Sequence, residues 1–186
     1  FERRGTKRNR DGMARYGIPS DKALGVPVGQ IKALGQRIVA DGGRNHDLAQ
    51  ALWDTGIYEA RMLTSYIDEP VFITSAHMDR WAKEFDNWAI VDTLCFHLFD
   101  RVDSTLAFRK VEQWSRRREE FVKRAAFALL WSLALHDKLS DDAPFMRCLP
   151  LIERAARDER NFVKKGVGMA LGAVGRRSPA LRAAAL

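Results

Sequence analysis

Residues 119–136 read EEFVKRAAFALLWSLALH, and helical spacing is what makes sense of them. Two glutamates lead, where a helix N-terminus favours negative charge. The segment then runs from Ala125 to His136 without a charge and without the period-two alternation of a half-buried strand. That apolar run is too short to cross a bilayer, so it belongs in a core. Arg124 stands out within it. A guanidinium in so apolar a helix must reach solvent or an anion.

The same register recurs on both sides of this helix. Tyr58-x-x-Arg61, Trp88-x-x-Val91, Phe121-x-x-Arg124 and Phe162-x-x-Lys165 each set an aromatic three residues before a position that is basic in three of the four copies, at intervals of 30, 33 and 41 residues. Such spreads are typical of degenerate two-helix repeats. Helices are expected near 28–39, 45–54, 57–68, 75–84, 87–100, 105–115, 119–136, 142–157 and 161–176, with another from Pro179. The links are short: Thr55-Gly56, the cap Asp86-Asn87, and Arg160-Asn161. Short links make consecutive helices antiparallel neighbours. The fold expected is all-α: a right-handed α-solenoid of HEAT-like two-helix repeats, whose second helices line a concave basic groove. Trp88, Asp92, Arg124 and Lys165 would share that groove. A single domain is expected over 1–186, with the Gly-, Pro- and Arg-rich residues 1–27 as a basic loop or short-helix segment that contacts phosphate.

The chain has 186 residues, 46% hydrophobic and 30% charged, as an ordinary globular domain does. Its net charge of +7 points to a polyanionic partner, most plausibly nucleic acid. No apolar stretch suits a membrane span or a signal peptide, so the expected location is the cytoplasm, in a bacterium the cytoplasm or nucleoid, with no membrane partner. Opening on Phe1 and closing in LRAAAL, the chain is expected to be trimmed at its ends. Cys95 and Cys148 lie in apolar helical patterns and read as buried thiols. His46, His77, His97 and His136 are scattered, without HxxxH or HExxH spacing, so neither metal nor other cofactor is expected.

Within NWAIVDT, Trp88 and Asp92 lie one helical turn apart on one face. Asp92 has Ile90, Val91, Leu94, Cys95 and Phe96 around it, so its carboxylate needs a partner or an opening. Two accounts follow: a reactive carboxylate, or a structural brace paired with Arg124. Trp53, Trp114 and Trp131 read as core or helix-packing residues, and Trp81 as ambiguous. Trp88 begins its helix and can project outward. Lys164 and Lys165 are placed, with Arg124, as anion-binding cations. No phosphate-binding glycine loop or Ser/His/Asp arrangement is visible.

In order, ARYGI, ALWDTGIYEAR, FDNWAIVDTLCFHLF, SRRREEFVKRAAFALL and DERNFVKKGVGMAL resemble the AlkD-like DNA alkylation repair enzymes, over roughly residues 12–178. The resemblance implies a HEAT-like solenoid that cradles duplex DNA. It implies a glycosylase that removes N3- or N7-alkylated purines from double-stranded DNA without metal or organic cofactor, and a monomer is expected. Asp92 matches the family's catalytic carboxylate, Trp88 an aromatic lining the lesion site, and Arg124 a basic residue that holds the DNA backbone. Met169 departs from the pattern, standing where the family usually carries a Trp, so one aromatic wall is replaced by a flexible thioether. The alternative within the same superfamily is a non-catalytic protein that binds DNA by its structure. A third reading is a helical scaffold for protein partners.

Overall fold

The computed structural model describes all of residues 1–186 and contains helices and turns but no strand. The α-helices are α1 (Lys7–Met13), α2 (Val28–Gly42), α3 (His46–Asp54), α4 (Tyr58–Ile67), α5 (Ser75–Ala82), α6 (Trp88–His97), α7 (Ser104–Ser115), α8 (Glu120–His136), α9 (Ala143–Ala155), α10 (Asn161–Gly175) and α11 (Pro179–Ala184). No helix is long and apolar enough to cross a membrane. The chain forms two compact units, Phe1–Phe72 and Ile73–Leu186.

In the first unit α4 packs against both α2 and α3. Gly35 of α2 permits the closest approach, since a Cβ there would lie 2.7 Å from the Cβ of Tyr66. The basic N-terminal segment, expected as loop or short helix, consists of α1 flanked by single 3₁₀ turns at Glu2–Arg4 and Ala14–Tyr16. It is tied down through the loop before α2. The fully buried Glu59 carboxylate of α4 accepts the backbone N–H groups of Leu24, Gly25 and Val26 at 2.7–3.1 Å. The Gly25 carbonyl in turn accepts from the Thr6 N–H and the Asn9 amide. Only glycine fits this turn: φ is +82°, and a Cβ would sit 2.3 Å from the Thr6 carbonyl oxygen.

In the second unit α8 is the central element and packs on α6, α7 and α10. Its Ala125–Leu130 run is wholly buried, which explains why a helix with so little amphipathic patterning is stable here. Trp81 and Trp114 are buried in this unit, while Lys110, also buried, reaches Asp79 at 2.6 Å. The helix expected over 87–100 stops at His97. Leu98 leaves helical geometry at φ −138°, ψ −57°, and the chain makes a 3₁₀ turn at Phe99–Arg101. The break lets the consecutive Leu98 and Phe99 both enter the core.

Candidate functional site

The start of α6 is fixed by its own sequence. The Asn87 side chain accepts the Ile90 N–H at 3.0 Å as an N-cap, and Asp86 holds the Asn87 amide at 2.7 Å. Trp88 is therefore the first helical residue, half-buried, with Asp92 one turn further along. Ala89, Ile90, Val91, Leu94 and Cys95 turn inward, leaving Trp88, Asp92, Thr93, Phe96 and His97 on the outer side. The buried Cys95 thiol donates to the Ala125 carbonyl, and burial pushes its pKa well up; Cys148 is likewise pushed up to about 12. Neither thiol is poised to react.

Arg124, from the second turn of α8, meets Asp92 side-on. Its Nε donates to Oδ1 at 2.9 Å and its Nη2 to Oδ2 at 2.7 Å. Nη1 donates to the Phe162 carbonyl at the start of α10, at 2.7 Å. One guanidinium thus links α6, α8 and α10. The repeated aromatics pack alongside it, Phe121 and Phe162 having ring centroids 5.4 Å apart. The Arg124 guanidinium carbon also lies 5.9 Å from the Trp88 ring centroid, the outer range of a cation–π contact. Trp88, Asp92 and Arg124 form one cluster.

The pair is unequally shielded. Arg124 retains 7% of its side-chain exposure and Asp92 retains 18%. Burial raises the Asp92 pKa above the ordinary aspartate value, and the hydrogen bonds and charge of Arg124 pull it part of the way back. Each carboxylate oxygen accepts one Arg124 bond, which leaves further acceptor capacity on the open side. Of the five Arg124 N–H groups three are committed, so two remain. The arrangement can present a partly dehydrated negative charge to a cationic centre beside an indole.

The remaining expected residues lie on α10. Lys164 is exposed and reaches Glu159 at 3.2 Å. Lys165 is exposed with no carboxylate against it. Met169 is 50% exposed one turn beyond Lys165. Sequence reasoning missed two features. The Phe162 carbonyl is a backbone partner that no side-chain pattern announces, and Trp131, which packs between helices against Phe96 as expected, also keeps part of its ring exposed. The half-buried position of Trp131 has a sequence signal in retrospect, because it lies seven residues, two helical turns, after Arg124.

The structure is similar to a solved structure described as "a new family of proteins related to the HEAT-like repeat DNA glycosylases with affinity for branched DNA structures", at 19% identity and a TM-score of 0.82, covering 99% of this chain and 76% of that one. At that identity the likeness establishes the fold, a HEAT-like repeat architecture. No curated protein sequence matches. The family model described as "DNA alkylation repair enzyme" matches residues 1–186, and the chain belongs to that family.

Proposed function

We propose that this protein is a DNA glycosylase that excises positively charged N3- or N7-alkylated purines from duplex DNA, acting as a monomer without a cofactor. The observation that carries the reading is Asp92: a carboxylate withdrawn from bulk water, oriented by a side-on arginine, and still open beside an indole.

The chemistry asks little else of the site. An alkylated purine already bears positive charge, so it leaves without a general acid. As the N-glycosidic bond breaks, its electron pair departs with the base and the deoxyribose becomes oxocarbenium-like. Asp92 stabilises that charge, and an oxygen lone pair not used by Arg124 orients and deprotonates the water that attacks the sugar carbon. Trp88 packs its electron-rich face on the sugar and excludes water. Arg124 acts first as a positioning residue for Asp92, and its two uncommitted N–H groups face a phosphate beside the lesion. Lys164 and Lys165 hold the backbone further along. Met169 supplies a deformable wall where the family usually has Trp, which suits adducts of varied size.

A second reading is a non-catalytic protein that recognises disrupted DNA by its structure. The neutralisation of Asp92 by Arg124 favours it, as does the likeness to a protein described by its affinity for branched DNA. Incubation of the purified protein with methylated duplex, followed by chromatography of released bases, separates the two. Release of 3-methyladenine or 7-methylguanine supports the enzyme; binding without release supports the second reading.

A further inference from the structure

The outward side of α6 does not end at Asp92. Trp88, Asp92 and Phe96 follow at intervals of four and share one helical face. On α8, every residue from Arg124 to Ala134 is buried except Trp131. An indole is the side chain a core would most profit from enclosing, and Trp53, Trp81 and Trp114 are enclosed. Trp131 is left open instead, against Phe96, with ring centroids 4.5 Å apart and planes at 76°. Phe96 meets the His136 ring edge-on at 5.6 Å, and that ring is tied to the buried Asp100 carboxylate. Leu135 beside them is 38% exposed.

We propose that Trp131 and Phe96 form a stacking platform for an unstacked nucleobase next to the Asp92 site, and that this platform gives the protein a preference for disrupted over intact duplex. The proposal rests on the reading that this face binds DNA. Distance supports it. At about 1.5 Å per helical residue, Phe96 lies about 6 Å along α6 from Asp92, and Trp131 about 10 Å along α8 from Arg124. The rise per nucleotide along a duplex axis is about 3.4 Å, so offsets of this size amount to about two to three base-pair steps.

The chemistry of the rings selects the occupant. An edge-to-face pair leaves π surface uncovered, and every nucleobase has a π face to place on it. A base within an intact duplex offers only its edges in the grooves, because its faces are already stacked. The occupant is therefore a base freed by a lesion, a bulge or a junction. Two exposed cations belong to the α10 segment, Lys165 within the helix and Arg176 as the residue that caps its end.

The test compares wild type with Trp131→Leu and Trp131→Phe, reading anisotropy of three labelled DNAs: an intact duplex, the same duplex with a one-base bulge, and a three-way junction. Wild type should prefer the bulge and the junction. Trp131→Leu should lose about tenfold on those two while keeping its affinity for intact duplex, and Trp131→Phe should keep most of the preference. A preference unchanged in Trp131→Leu overturns the platform, as does an equal loss on all three DNAs, which would mark a packing residue. Wild type that binds none of the DNAs overturns the DNA reading and the platform together. Melting curves of both variants confirm that the compared proteins are folded.

Discussion

Glu59 and Asp92 are both carboxylates in apolar helices, one in each unit, and they are satisfied in different ways. Glu59 is wholly buried, and backbone N–H groups from three successive residues close around it. Asp92 takes two bonds from one side chain and keeps an open flank. A carboxylate ringed by main-chain donors is a structural rivet, since its partners cannot move without unfolding the turn. A carboxylate held from one side by a guanidinium is fixed in direction yet free to act on the other. On the proposed reading, partner geometry, more than burial, separates architecture from chemistry.

The contrast breaks most sharply at Asp92→Asn. Excision of 7-methylguanine or 3-methyladenine should fall by about 10²–10³, matching the loss of one electrostatic stabiliser in other enzymes. Affinity for intact duplex should not fall. Excision at the wild-type rate would make Asp92 a second rivet. Arg124→Ala comes next, because it strands the Asp92 charge: the thermal stability lost should approach the lower end of about 3–5 kcal/mol, given the open flank. Excision should drop with it. A salt titration of the same variant should flatten the slope of log affinity against log salt by about 0.9, as loss of the proposed phosphate contact requires, and an unchanged slope would confine Arg124 to positioning Asp92.

Glu59→Gln sets a donor amide among backbone N–H groups and should cost about 1–3 kcal/mol in a urea melt without altering the excision rate per folded molecule. A rate change there would erase the distinction drawn above. The smallest effect concerns pH. The Asp92 pKa is raised on folding, so the protonated form is favoured by the fold: this group's contribution to stability is full below the ordinary aspartate value and is lost as pH rises through the raised one. Excision needs the ionised form and should decline in acid at a pH above that ordinary value. An acid limb absent from wild type, or persisting in the residual activity of Asp92→Asn, would assign the titration to another group.

The helices were legible because their signals are local. Asn87 caps α6 as its type and place suggest, and the cap sets Trp88 and Asp92 on one face. The early end of that helix was not legible, because the demand to bury Leu98 and Phe99 together comes from the unit's interior. The role of Glu59 within YEAR is hidden for a similar reason: its partners lie 33–35 residues earlier, in a turn whose conformation only Gly25 permits. Of the two accounts open for Arg124, an ion pair with Asp92 and a phosphate contact, the geometry supplies the first, and the choice depended on a 32-residue separation that periodicity cannot resolve.

The bond between Arg124 and Asp92 also gives the family's drift a direction. If the carboxylate is lost first, a cation at the junction of three helices is released from its partner and becomes available to another anion, a DNA phosphate on the proposed reading. If the arginine is lost first, the stranded carboxylate weakens the fold and repels the backbone. On the proposed function, the first order of loss would turn a protein that excises into one that only holds DNA, whereas the second would cost stability. Descendants that abandon excision should therefore retain the arginine long after the aspartate has gone.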